Sequence, residues 1–387
     1  MQRIVIVGGG AGGLALATQL GKRLGRRKLA DITLVDSART HVWKPLLHQL
    51  AAGSFDTHAE EIEYLAQARW SHFTFRLGSL TGIDRRQKTL HLAASYDDEG
   101  GEITPEQTIP YDILVIAVGS QTNDFGTLGA TGVELAAELH ASARVLSNFG
   151  LDNVHPEKDL QIVLSEAALR ELRKLAIEVH TNEKVVEVSA NAVKMASGKV
   201  ISSTLTVWAA GVKAADFLTT LGGDVSSGQP PGGQPPLETN RLNQLVVTDR
   251  LQTTRDPDIY AFGDCAACPQ PGGKWVPPRA QSAYQQAMYL VRALTHIVQE
   301  GTPDTKAAAY TYLDRGSLVS LAEYSSVGSL MGSLTKGSLF VEGQLAKMMY
   351  WGLHKQHQVA LGGFLKTVLI ALSEWLDRTH RPRIKLY

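Results

Sequence analysis

The sequence predicts an α/β protein built on a Rossmann-like dinucleotide-binding unit and ending in amphipathic helices. Three observations point there: a β-branched run that breaks into a glycine-rich turn, a late strand closing on Gly263-Asp264, and apolar residues at helical spacing from Gln344 onward. The 387 residues leave room for two or three domains at about 150 residues each. Hydrophobic residues at 44% and charged residues at 20% exclude wholesale disorder, collagen and a coiled-coil rod. Lys+Arg and Asp+Glu both number 38, so no global field draws the chain to polyanions and no nucleic-acid partner is expected. Cys265 and Cys268 are too few for a secreted disulfide framework, and the chain opens without a basic segment and cleavable apolar core, so an intracellular setting is expected. No run of about 18 or more apolar residues occurs, so no segment is expected to span a bilayer, which leaves open lying on one.

Ile4 to Val7 read as a short strand, Gly8 to Gly13 as a tight turn, and LALATQLGKRL as a helix. Gly8, Gly10 and Gly13 satisfy G-x-G-x-x-G: the first permits the turn, the second lets backbone approach a pyrophosphate, and the third lets helix pack on strand. Ala11 and Gly12 complete the cradle at the helix start, where free N–H groups and the helix dipole favour a diphosphate. A second strand, Ile32 to Val35, ends at Asp36 and Ser37, placing a carboxylate where it can take a ribose 2′-OH. A glycine turn without a ligand is the competing reading; strand, turn, helix, strand and acid in register argue against it.

Tyr111 to Ser120 is another buried strand, ending in small residues that include Ala117 and Gly119. Gly129 and Gly132 then fit the second and third glycines of another fingerprint, opening a helix that carries Glu134. Thr127 holds the first-glycine position, however, and Asn123 to Thr127 cannot form the strand that a phosphate-cradling turn requires. The next expected strand, Leu160 to Leu164, runs straight into SEAALRELRKL with no acidic tip and loop. Either the chain is a deletion variant, or it joins segments across missing stretches. The second is favoured, because each junction interrupts an otherwise well-formed unit and loss of a central parallel strand would expose a wide apolar gap. A parent chain is expected to carry tens more residues near 126–129 and fewer near 164–165. The stretch SSGQPPGGQPP reads as a flexible loop. Asp258 to Asp264 then forms a buried strand with a Gly-Asp turn, and a long helix starts within PPRAQSAYQQAMYLVRAL.

With its glycine turn, buried strand and late Gly263-Asp264, the chain resembles flavoprotein reductases with two dinucleotide-binding domains. That resemblance places FAD in the first site, with Asp264 on its ribityl or phosphate. A closer likeness is to the type II NADH dehydrogenases, single-subunit NADH:quinone oxidoreductases. It is carried by Trp43-Lys44-Pro45-Leu46-Leu47-His48-Gln49-Leu50-Ala51-Ala52-Gly53, by Trp208-Ala209-Ala210-Gly211, and most specifically by Ala280-Gln281-Ser282-Ala283-Tyr284-Gln285-Gln286. The resemblance implies an FAD domain from 1–120 and 240–310, an NADH domain at 121–239 and a membrane-association region at 311–387. It implies Lys44 in the loop beside the flavin, and Gly129, Gly132, Glu134, Ala210 and Gly211 around NADH. By that resemblance Glu134 is expected to fix the nicotinamide or relay a proton, hydride is expected to pass from NADH to flavin N5, and two electrons are expected to continue to a membrane quinone, without proton pumping. A homodimer, peripheral on the cytoplasmic face of the cell membrane, is expected.

From the residues themselves, Gln281 and Gln285 at i and i+4 share one helix face. Two amides with Ala280 and Ala283 beside them offer uncharged donors for the two carbonyls of a quinone. The same helix start can stabilise negative charge developing on reduced flavin. The alternative is surface glutamines on an amphipathic helix. Cys265 and Cys268 form a CxxC, but it follows the Gly-Asp turn, and the pair reads as packed there rather than as a redox dithiol. His354 and His357 lie i, i+3 in the tail, and no metal is expected. In the tail, Leu345, Met348, Met349 and Leu353, then Phe364, Val368, Leu369, Leu372, Trp375 and Leu376, recur at helical spacing, with Gly362-Gly363 as a break. Arg378, Arg381, Arg383 and Lys385 follow, so an interfacial membrane anchor is favoured over a docked helical pair or a dimer contact. Two further readings stay open: another flavoprotein reductase, acting on sulfide or a disulfide, and a flavin-binding membrane protein with an inert NAD half.

Overall fold

The computed structural model describes residues 1–43, 61–96, 100–122, 161–163, 178–180, 183, 185–189, 191–203, 212–223, 234–315, 317–321, 325–330, 339–342 and 344–377. The chain divides into two units, the first comprising residues 1–44, 61–121 and 213–313. Its centre is a sheet of β1 (Gln2–Val7), β2 (Ala30–Asp36), β3 (Thr74–Leu77), β7 (Ile113–Ile116), β8 (Gln252–Thr253) and β9 (Asp256–Ala261), in the order β8-β9-β7-β1-β2-β3. All neighbours are parallel except the edge pair β8/β9. Ile4 to Val7, Ile113 to Ile116 and Ile259 to Ala261 are all buried, as continuous apolar strands in the middle of a parallel sheet must be. A smaller antiparallel sheet, β4 (Leu80–Asp84), β5 (Thr89–Leu92) and β6 (Gln107–Pro110), completes the β structure that matters here.

Helix α1 (Ala11–Leu20) is buried almost all round, consistent with its run of Leu14, Ala15, Leu16, Ala17 and Leu20. It packs against α3 (Ala280–Glu300), whose buried stripe runs through Ala287, Leu290, Val291, Leu294 and Ile297 at helical spacing. Gly301, with φ of +76°, ends α3 in the left-handed conformation that favours glycine. A short helix, α2 (Tyr64–Ser71), leads into β3.

The described part of 213–239 belongs to the first unit, which moves the boundary drawn from sequence at 239. The cause is Arg85, on the turn after β4. Its guanidinium donates to the carbonyls of Gly222 (3.0 Å), Pro235 (2.5 Å) and Arg255 (3.2 Å), while Leu218, Leu221 and Leu237 are buried. Residues 311–313 also belong there rather than with the tail.

The second unit comprises residues 45–60, 122–212 and 314–387. The expected strand near 160–164 is present as Gln161–Val163, paired in parallel with Glu178–His180. Ser317–Leu321, Ser325–Leu330 and Leu339–Glu342 form an antiparallel sheet, against which α4 (Gln344–Gly362) packs. Helix α5 (Phe364–Asp377) packs on α4, and the break falls at Gly363, with φ of +85°, its N–H donating to Val359 O at 2.9 Å. Phe364, Leu365, Leu369, Leu372 and Met348 are exposed on this pair, whereas Lys355, His357 and Thr367 are buried. Among the described residues, no helix is long and apolar enough to cross a membrane.

Candidate active site at the carboxyl edge of the sheet

Val7, Ile116 and Ala261 stand in register across β1, β7 and β9, so the three strands finish level. The segments that follow, Gly8–Gly13, Ala117–Ser120 and Phe262–Asp264, therefore emerge side by side. Loops beyond the carboxyl ends of parallel strands are where open α/β sheets bind ligands. The amino-terminal turn and the distant Gly-Asp turn meet directly: a Cβ on Gly12 would strike the Phe262 ring at 2.5 Å and the Ala283 carbonyl at 3.0 Å.

Gly8 has φ of +106°, and a Cβ there would run into the Ala117 carbonyl; one on Gly13 would run into the Gly8 carbonyl. At Gly10 a Cβ would meet nothing within 4 Å. Gly10 is also the N-cap of α1, and no side chain caps that helix end. An uncapped helix start over small residues, with open space beside it, fits the diphosphate of a dinucleotide such as FAD. Asp36 accepts the Gly9 N–H on Oδ2 (2.5 Å) and the Ala38 N–H on Oδ1 (2.8 Å). Each oxygen retains a lone pair for a ribose hydroxyl. Ser37 is exposed beside it.

Tyr64 is a contributor that sequence reasoning missed. Its buried hydroxyl donates to Gly9 O at 2.9 Å, and its ring stacks on Phe75 with centroids 5.0 Å apart. Burial, with a smaller push from Asp36, raises the hydroxyl far above the usual tyrosine range, so it acts as a donor that fixes the turn. The contact spans 55 residues of sequence and no local pattern announces it.

The second turn is held as firmly. Gly263 has φ of +75°, and its N–H donates to Oε1 of fully buried Gln286 at 2.8 Å. Asp264 Oδ2 accepts the Ser120 hydroxyl at 2.7 Å, and the Asp264 carbonyl accepts from Gln244 Nε2 at 3.0 Å. Ser120 and Gln286, which lie within segments that the sequence singled out, and Gln244, which has no signal of its own, are further site residues. Ala117 is buried, and Gly119, with φ of +73°, takes the left-handed conformation in the turn after β7, just before Ser120.

Helix α3 begins at Ala280, again with no side-chain cap. Its first turn lies against the Gly-Asp turn: a Cβ on Gly263 would sit 3.5 Å from that of Ala283. Gln281 and Gln285 do share a face, and both are half-buried. The structure separates them chemically, however. Gln281 Oε1 accepts the Tyr312 hydroxyl at 2.9 Å, whereas Gln285 donates to Leu313 O (2.8 Å) and accepts from Leu313 N (3.1 Å).

Cys265 and Cys268 are free and buried. Desolvation pushes both thiols up to about 11, so neither is a thiolate near neutrality. This argues against a dithiol mechanism. Lys44, Gly129, Gly132, Glu134, Ala210 and Gly211 lie outside the described residues. Among the described residues, no three His, Cys, Asp or Glu side chains group as a metal would need.

Residues 2–130 and 128–287 match the pyridine nucleotide-disulphide oxidoreductase family, the two ranges overlapping at 128–130. The type II NADH:quinone oxidoreductase of Haemophilus influenzae is 36% identical, with 100% of both chains covered. That alignment has 462 positions, 75 more than the 387 residues here, so the relative carries stretches this chain lacks. The type II NADH:quinone oxidoreductase NdhA of Mycobacterium tuberculosis is 24% identical over 91% of this chain and 82% of its own. Among solved structures, NDH2 from Plasmodium falciparum in complex with NADH aligns with a TM-score of 0.76 at 16% identity, covering 99% of this chain and 100% of that one. The α/β pyridine nucleotide-disulphide oxidoreductase fold is thereby shown.

Proposed function

The chain belongs to the type II NADH:quinone oxidoreductases, and from that premise we infer that it is an FAD-dependent enzyme passing reducing equivalents from NADH to a membrane quinone, without proton pumping. The observation that carries this reading is the convergence of the glycine turn, the Gly-Asp turn and the start of α3 at one sheet edge. When bound, FAD supplies the redox chemistry, accepting a hydride and delivering two electrons.

The residues of this chain bind and orient. Gly8, Gly10, Ala11, Gly12 and Gly13 cradle the diphosphate, Asp36 and Ser37 take the ribose, and Ala117, Gly119, Gly263 and Asp264 hold the ribityl end. The uncapped start of α3 at Ala280 directs N–H groups toward negative charge on the isoalloxazine. Gln281, in the same turn, meets the quinone. Lys44 beside the flavin, and Gly129, Gly132, Glu134, Ala210 and Gly211 around NADH, are assigned by family resemblance, Glu134 fixing the nicotinamide. The overlap at 128–130 and the 75 surplus aligned positions support a parent chain with additional residues near 126–129; a smaller addition near 164–165 is part of the same proposal, on the sequence pattern alone.

Membrane-surface attachment through α4 and α5 is part of the same proposal. Its support is the exposed row Phe364, Leu365, Leu369 and Leu372, followed in sequence by Arg378, Arg381, Arg383 and Lys385. A lipophilic quinone must be collected from a bilayer, which commits that face to lipid. The homodimer and the cytoplasmic face belong to the proposal on family resemblance alone.

Stopped-flow mixing of FAD-loaded protein with NADH should bleach the flavin absorbance, and a short-chain quinone should restore it. Failure to bleach at full FAD occupancy overturns the reading.

A further inference from the structure

We propose that Tyr312 is a positioning residue for quinone: its hydroxyl fixes the Gln281 amide with Nε2 outward as a donor, while Gln285 holds the Tyr312 segment rather than the ligand. This rests on the reading that Gln281 meets the quinone. A quinone carbonyl accepts hydrogen bonds and donates none, so a glutamine serves it only with the N–H end presented. The side-chain amide is nearly symmetric in shape, and its neighbours decide which end faces out. Tyr312 O–H donates to Gln281 Oε1 at 2.9 Å, occupying the acceptor end and leaving the N–H pair for the ligand.

Tyr312 can impose this orientation because its own backbone is fastened on both sides. Its N–H donates to Gln270 Oε1 at 2.7 Å. Gln270 is itself anchored through Nε2 to the Pro269 carbonyl at 2.8 Å. On the other side, the Gln285 amide pairs with both N and O of Leu313, at 3.1 and 2.8 Å, as a strand neighbour would. With its acceptor and one donor engaged, Gln285 works as a clamp on the chain. The i, i+4 pair thus divides its labour: one amide for the ligand, one for the segment that orients the first.

The test uses the full-length, FAD-loaded protein and steady-state kinetics with a short-chain quinone, with NADH:ferricyanide activity and Tm as controls. Tyr312→Phe should raise the quinone KM about 3- to 10-fold, the order expected for one neutral hydrogen bond, and leave kcat, the NADH KM, ferricyanide reduction and Tm unchanged. Gln281→Ala should raise the quinone KM at least as far, and Tyr312→Phe should add nothing in that background. An unchanged KM in Tyr312→Phe with a raised KM in Gln281→Ala overturns this proposal and spares the quinone assignment. An unchanged KM in Gln281→Ala overturns that assignment as well. A parallel loss of ferricyanide activity and Tm in Tyr312→Phe marks a merely structural residue and also overturns it. Should Tyr312→Phe fail to fold, Gln270→Ala decides: it releases the Tyr312 N–H that the Gln270 amide holds, so the quinone KM should rise at unchanged ferricyanide activity, and an unchanged KM overturns the proposal.

Discussion

The sheet of the first unit and the paired helices α4 and α5 of the second distribute their residues in opposite ways. Leu34, Leu114 and Ile4 are fully buried in the sheet, and Arg3 keeps its charge at the surface in a 2.7 Å pair with Asp112. On α4 and α5, Phe364 is 74%, Leu365 73% and Leu369 59% exposed, while Lys355 and His357 are buried. Lys355 donates to Gln358 at 3.0 Å and lies 5.4 Å over the Trp351 ring, so its charge is accommodated within the helix. One sequence thus carries two hydrophobic patterns suited to different surroundings. The sheet sorts its side chains against water; the helix pair leaves an apolar face exposed, which is the pattern that the proposed membrane attachment requires.

Truncating one leucine in each region sharpens that contrast most. Leu34→Ala should cost about 2–5 kcal/mol through lost transfer energy and a cavity, whereas Leu369→Ala should stay within about 0.5 kcal/mol. Chemical denaturation midpoints compare the two, and equal losses would break the comparison. Next in size is the response to lipid. Each apolar side chain withdrawn from lipid forfeits about 1.5–3 kcal/mol of transfer energy, so Phe364→Glu combined with Leu369→Glu should lower co-sedimentation with anionic vesicles by tenfold or more at unchanged Tm. Undiminished sedimentation would show that the exposed row does not touch the bilayer.

The smallest effect concerns acid. Burial, with Lys355 adjacent, lowers the His354 imidazole from 6.5 to about 4. As pH falls through 6.5 the unfolded chain takes up a proton that the folded chain refuses. The stability contributed by neutral His354 is therefore complete above about 6.5 and declines as pH drops toward about 4. Denaturation of wild type and His354→Gln, followed by tryptophan fluorescence, should show the variant losing less stability between those limits. Identical pH dependence would contradict the desolvated, half-buried imidazole.

Legibility in the sequence followed the range of the interaction. The Gly8–Gly13 turn, the strand ending at Asp36 and the strand closing on Asp264 were readable because each is a local steric demand, such as a φ of +106° at Gly8. The placement of Gln281 and Gln285 on one face was likewise readable from helical spacing. Their partners were not. Gln285 engages a residue 28 positions away and Gln281 one 31 positions away, and nothing in the spacing distinguishes an amide bonded to a side chain from one bonded to backbone. Tyr64 on Gly9, Ser120 on Asp264 and Gln286 on Gly263 were invisible for the same reason: each joins segments that only the sheet register brings together.

The amino-acid order by itself settled the strand-turn-helix at the amino terminus, the Gly-Asp turn and the alternation of apolar residues along α5, since these depend on backbone sterics and on periodicity within a few residues. Which side of α5 is exposed, which glutamine pairs with the Leu313 backbone, and how Arg85 ties Gly222 and Pro235 into the first unit were decided by tertiary structure alone. Those outcomes depend on which distant carbonyls and side chains compete for the same donors, and that competition exists only after the strands have come into register.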